Sequence, residues 1–112
     1  MSENSERIRK VYEVHAKDDR ALELASSLEM GVNQFASAKM LQMKVEDSPH
    51  WLSQRSPHGL MVDCIYLVAK RSGMKISAVK MSEHTKEIFG IGTQPRPSVW
   101  QNEFMDLIEE YA

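Results

Sequence analysis

Apolar positions recur along most of this chain every three to four residues, and no stretch alternates strictly between apolar and polar, so the pattern predicts helices and no sheet. The strongest segment is RSPHGLMVDCIYLVAKRSG, residues 55–73, in which Leu60 to Ala69 are almost unbroken in apolar character. Its ends are marked: Ser56 can accept a hydrogen bond from a free amide, Pro57 has no amide to leave unpaired, and Gly73 can take the left-handed conformation that stops a helix. Lys70 and Arg71 fall in the last turn, where positive charge suits the helix dipole. Leu60, Cys64, Leu67 and Arg71 form one stripe and Met61, Ile65 and Val68 a neighbouring one, so most of the circumference is apolar and the helix is expected to be enclosed by others. Asp63, Tyr66 and Lys70 share the remaining face, expected to look toward solvent or a partner. The apolar run is about ten residues long and contains Asp63, whereas crossing a bilayer takes roughly twenty, which excludes it as a membrane span.

The same periodicity places four more helices around the central one. Asp18 or Asp19 can cap a helix with inner face Leu22, Ala25 and Leu28, stopped at Gly31. Asn33 can cap the next, carrying Ala36, Met40 and Met43 or Lys44, and Asp47, Ser48 and Pro49 end it. Ser77 caps a fourth through Val79, Met81, Thr85 and Ile88. The segment GIGTQPRP, residues 90–97, is the most turn-like in the chain. A last amphipathic helix, starting near Ser98, has Val99 or Trp100, Phe104, Leu107 or Ile108, and Tyr111 on its inner face. Residues 1–17 carry Ile8, Val11, Tyr12 and His15 at helical spacing among many charges and are expected to form a weaker, mobile extension. Residues 18–112 then make one all-α domain, with no repeat or low-complexity linker dividing it.

Composition narrows the function classes. With 112 residues, 42% hydrophobic, 27% charged and a net charge of −2, the chain has no overall electrostatic drive toward phosphate backbones, so any nucleic-acid contact must come from a local cluster. The single Cys64 excludes an internal disulfide framework or a zinc site of several thiolates, and MSENSERIRK lacks the apolar core of a signal peptide, so an intracellular protein is expected. His15, His50, His58 and His84 share no ligand spacing, and no phosphate loop, nucleophile triad or paired carboxylates in an apolar setting stand out. Binding rather than catalysis is expected, with no metal or other cofactor.

Gly31-Val32, the alanine-containing helix after it, Arg55-Ser56-Pro57, the apolar IYLVA ending in basic residues and Gly73, then a polar helix, a turn and a last aromatic-bearing helix resemble one cyclin-like repeat, closest to the second, of the transcription factor IIB family and its archaeal counterpart. The likeness spans about residues 19–111, with Ser56, Pro57, Ile65, Tyr66 and Ala69 at the family's most recognisable positions. It implies a five-helix cyclin-box-like bundle, a helix-turn-helix-like C-terminal pair, and work in transcription initiation or its regulation. It also implies a nuclear protein if eukaryotic and a cytoplasmic one if archaeal. The implied partners are the TATA-binding protein or polymerase-associated factors, another regulatory protein, and promoter DNA. Two departures stand beside it. Family members carry two repeats behind a zinc ribbon, so this chain is expected to be less than a complete factor. Where the family's last helix has an arginine-rich I-R-n-R-Y stretch, this chain reads Trp100-Gln101-Asn102-Glu103-Phe104, with both arginines replaced.

The residues suited to DNA form two groups. From Cys64 to Ser82 no residue is acidic, and Lys70, Arg71, Lys75 and Lys80 gather around the turn after the central helix, where they can meet phosphates. Gln94, Arg96, Ser98, Gln101 and Asn102, before and at the start of the last helix, can meet phosphates or base edges. Beyond them Glu103, Asp106, Glu109 and Glu110 make a far end that repels DNA. A stand-alone helical adaptor that recognises only protein is the alternative reading.

Overall fold

The computed structural model describes residues 19–51 and 54–112, and among these the helical periodicity becomes five α-helices with no strand. These are α1 (Asp19–Ser27), α2 (Val32–Asp47), α3 (Pro57–Arg71), α4 (Ala78–Phe89) and α5 (Met105–Tyr111), with two short 3-10 turns, Pro97–Val99 and Gln101–Phe104, before α5. The expected all-α bundle around an apolar central helix is the fold observed. The N-terminal extension, with Ile8, Val11, Tyr12 and His15, and the Asp18 cap lie outside the described residues.

α3 is the axis of the bundle. The Ser56 hydroxyl accepts from Gly59 N–H at 3.0 Å, Pro57 opens the helix, and Gly73, at φ +85°, closes it while Met74 N–H donates to the Ala69 carbonyl at 3.0 Å. Leu60, Val62, Cys64, Ile65, Val68 and Ala69 are buried along it. α2 packs against α3 and contributes Phe35, Ala38, Leu41 and Val45; α5 lies on α2, and α4 lies on α1. Each fully buried aliphatic side chain contributes about 1.5–3 kcal/mol, so this seam is the main source of stability.

Several boundaries and faces differ from expectation. α1 ends at Ser27 rather than running to Gly31, because Glu29 takes the left-handed conformation (φ +60°) and Met30 N–H closes on the Ala25 carbonyl at 3.0 Å. Gly31 instead caps α2, its N–H bound by the Gln34 side chain at 2.8 Å, so Asn33 sits inside the first turn. Leu22 is half-buried, while its neighbours Ala21 and Leu24 are fully buried and turn the packed face by one position. Met43 on α2, Leu67 on α3 and Val79 on α4 are likewise outside the tightly packed set, Val79 being 64% exposed. The last helix starts late. Trp100 (φ −131°, ψ −15°) and Phe104 (φ −129°, ψ 25°) both depart from helical geometry, so the chain winds through two 3-10 turns and regular helix begins at Met105. Trp100, Phe104 and Ile108 are its buried residues, with Leu107 and Tyr111 half-buried.

Candidate functional site

Asp63, expected on an outward face, has no exposed surface at all. An ionised carboxylate tolerates such burial only when every lone pair finds a donor. Here four donors converge. Arg55 Nε reaches Oδ2 at 2.9 Å and Arg55 Nη2 reaches Oδ1 at 3.0 Å, a two-pronged pair. The backbone N–H of Arg96 donates to Oδ1 at 2.8 Å, and the indole Nε1 of Trp100 donates to Oδ2 at 2.9 Å. Arg55 Nη2 also donates to the Gln94 carbonyl at 3.2 Å. Gly59 makes room for this: a side-chain carbon there would lie 2.9 Å from the Arg55 guanidinium carbon, so the arginine can lie over the first turn of α3 only where that turn is bare.

The clasp fixes the segment after α4. Upstream, Gly90 takes φ +81° at the end of α4, Thr93 N–H donates to Thr85 Oγ1 at 2.7 Å, and Thr93 Oγ1 bonds His58 Nε2 at 2.9 Å. Downstream, Trp100 and Phe104 meet Trp51 edge to face, with ring centroids 6.2 and 6.0 Å from it. Gln94, Arg96 and Ser98 are therefore exposed side chains on a backbone anchored at both ends, with Asn102 exposed and Gln101 half-buried just beyond. All five belong to one connected segment beside the first half of α3.

The second predicted group stands elsewhere. Lys70 and Arg71 are exposed in the last turn of α3, Lys75 is exposed in the turn that follows, and Lys80 is exposed in the first turn of α4 with its Nζ 3.6 Å from Glu83 Oε2. Lys70 lies seven positions after Asp63, about 10 Å farther along the helix axis. Lys75 and Lys80 border a cleft of about 410 Å³ between the end of α1 and the start of α4, where His84 Nδ1 bonds Ser27 Oγ at 3.0 Å. The four acidic residues Glu103, Asp106, Glu109 and Glu110 are all exposed, and Glu103 accepts from Gln54 Nε2 at 3.3 Å beside the start of α3.

Sequence reasoning missed the clasp, although it left a trace: Asp63 is the single carboxylate inside the apolar run, and Arg55 lies just before the helix cap. Cys64 is buried, as a packed thiol should be, and burial first, then the neighbouring Asp63 carboxylate, pushes its pKa well above the ordinary thiol range. No group of three or more potential metal ligands converges among the described residues. No helix among them is long and apolar enough to cross a membrane. Compared with family models, curated proteins and solved structures, the chain finds no match.

Proposed function

We propose that this chain is a cyclin-fold binding module of the transcription factor IIB type, acting in transcription initiation or its regulation through protein contacts and weak DNA contact. The observation that carries the reading is the clasp between Arg55, Asp63 and the Gln94–Trp100 segment. The Arg-Ser-Pro opening of the central helix, one of the features on which the resemblance rests, is coupled through it to the surface that offers Gln94, Arg96, Ser98 and Asn102. A segment held this way keeps its polar groups in one arrangement, which reduces the ordering cost of a weak contact. Lys70, Arg71 and Lys75 add exposed cations that would position rather than specify. Promoter-length duplex titrated with the protein at low and moderate salt tests the reading: weak binding that falls steeply with salt is expected. The exposed carboxylates of α5 favour the second reading, an adaptor that meets only protein, and no salt-dependent binding at either condition would select it.

A further inference from the structure

The stretch that joins α2 to α3 carries the same three residues twice, as Ser48-Pro49-His50 and Ser56-Pro57-His58. Proline after a serine is the mark that a proline-directed kinase reads, because the ring fixes φ and removes the N–H that any other residue would present. The surroundings of the two hydroxyls differ. Ser48 is half-buried, its Oγ accepts from His50 N–H at 3.2 Å, and it follows the exposed acids Glu46 and Asp47. A phosphate there would meet like charge from both. Ser56 is exposed, its backbone is extended (φ −63°, ψ 157°), and a cavity of about 350 Å³ opens beside it, bordered by Glu46, Trp51, Arg55 and Pro57. Arg55 lies over the same turn. Ser56 Oγ accepts from Gly59 N–H at 3.0 Å, and a side-chain carbon on Gly59 would lie 2.9 Å from the guanidinium carbon, so hydroxyl and guanidinium flank one bare residue. Arg55 bonds Asp63 through Nε and Nη2 and the Gln94 carbonyl through Nη2, and among the described residues Nη1 keeps its donors free.

We infer that Ser56 is a phosphorylation site for a proline-directed kinase and that Arg55 Nη1 receives the phosphate. Ser56 Oγ attacks the γ-phosphorus of a nucleoside triphosphate held by the kinase. The new O–P bond forms as the bond to the bridging oxygen breaks, the diphosphate leaves, and the hydroxyl proton passes to the kinase's carboxylate base. The product carries a charge of about −1.5 to −2 at neutral pH, and its ester oxygen keeps a lone pair for Gly59 N–H. Three other titratable groups surround it. Glu46 opposes the phosphate from across the cavity but is exposed and screened, Asp63 is buried behind the guanidinium and shared among four donors, and His58 is turned to Thr93 at 2.9 Å. Nη1 donates directly, so its attraction prevails. The phosphate adds one more acceptor to the arginine that already ties Asp63 to the Gln94 carbonyl, and a covalent mark at the start of α3 thereby tightens the clasp on the segment after α4. This holds whether or not that segment meets a duplex.

Incubating the full chain with a proline-directed kinase and ATP, and mapping the phosphate by mass spectrometry, tests the site. A single phosphate on Ser56 is expected, Ser48→Ala is expected to be modified like wild type, and Ser56→Asn, which keeps a side-chain cap, is expected to stay unmodified. Phosphorus NMR across pH tests the seat. The second pKa of the phosphate is expected to lie about one unit lower in the folded chain than in the same modified chain unfolded in urea, where Arg55 is a neighbour in sequence only. With the folded pKa the lower one, the phosphate adds stability that is present above the unfolded value of about 6 and is lost as pH falls through the folded value. Thermal melts of modified against unmodified chain on either side of that window are expected to show the gain and its loss. No phosphate on Ser56, whatever the level on Ser48, equal pKa values in the folded and unfolded chain, or loss of helical circular dichroism on modification would each overturn the inference.

Discussion

Asp63 is fully buried and accepts from Arg55 twice, from Arg96 N–H and from Trp100 Nε1. Replacing a buried ion pair by apolar groups can be neutral, but removing one partner leaves the other stranded. Asp63→Asn keeps the shape, loses the charge, and places an amide N–H₂ against two of the four donors, whichever way it turns. It should cost about 3–5 kcal/mol in denaturant unfolding and shift the Trp100 emission as the charge beside the indole is lost. An unchanged midpoint and spectrum would mean that the clasp holds nothing. The adjacent thiol gives a pH-dependent counterpart. The folded pKa of Cys64 is raised, so the folded state keeps a proton that the unfolded chain releases. The thiol therefore costs nothing below the unfolded value of about 8.5, and stability falls as pH rises through and above it. Melts from neutral to alkaline pH should show wild type losing stability relative to Cys64→Val in that window, and parallel curves would refute the burial argument. The burial of Cys64 was legible from its place on the apolar stripe, but the surroundings of Asp63 were not. Helical periodicity assigns a face but not the neighbour that covers it, and Asp63 was read as outward because charged residues are usually solvated.

Among the elements, the helices themselves were legible and their faces only partly so. The Ser56-Pro57 start and Gly73 stop of α3, and the Ser77 cap of α4 with its bond to Lys80 N–H at 3.1 Å, follow from local chemistry that any fold would use. The α1 to α2 junction did not follow, because Glu29 occupies a left-handed position that glycine normally takes, and the nearby Gly31 does a different job. The start of α5 did not follow either: Trp100 and Phe104 both leave helical geometry, and Trp100 packs its indole against a carboxylate thirty-seven positions away in the chain. On α3 the apolar stripes were correct in outline, yet Leu60 is fully buried while Leu67 is only half so. Two leucines of one helix thus give an internal comparison. Leu60→Ala should lower stability by about 2–5 kcal/mol through lost burial and a residual cavity, a large part of the whole for a domain this size. Leu67→Ala should cost clearly less, because solvent already reaches it. Equal losses in paired thermal melts would show that the helix is enclosed more evenly than its exposure indicates.

At the scale of the whole molecule, the acid-free stretch before Ser82 and the lack of a basic residue after Arg96 were legible along the chain, whereas in space Glu29 shares a cleft with Lys75 and Lys80, and Glu83 lies 3.6 Å from the Lys80 ammonium. The placement of the two DNA-suited groups in space was not legible, because it depends on how the 90–104 segment is clasped to α3. The contact with duplex proposed above is weak for a reason that can be reversed. Gln101 and Glu103 stand where the resembling family carries arginines, and Glu103 adds its charge to Asp106, Glu109 and Glu110. Glu103 is exposed and its bond to Gln54 is a long 3.3 Å, so removing it should cost little stability, at most about 1 kcal/mol. Gln101 is half-buried, and an arginine there can keep its stem against the bundle with its head in water. Gln101→Arg together with Glu103→Arg should therefore fold normally and raise affinity for duplex. The slope of log affinity against log salt should steepen by about 0.9 for each phosphate gained, or roughly two units if both arginines engage. Fluorescence anisotropy on labelled duplex across a salt series measures both quantities. Unchanged affinity and slope would place the contact surface away from residues 101–103, and tight, sequence-selective binding by the unaltered protein would show that the missing arginines are not what limits it.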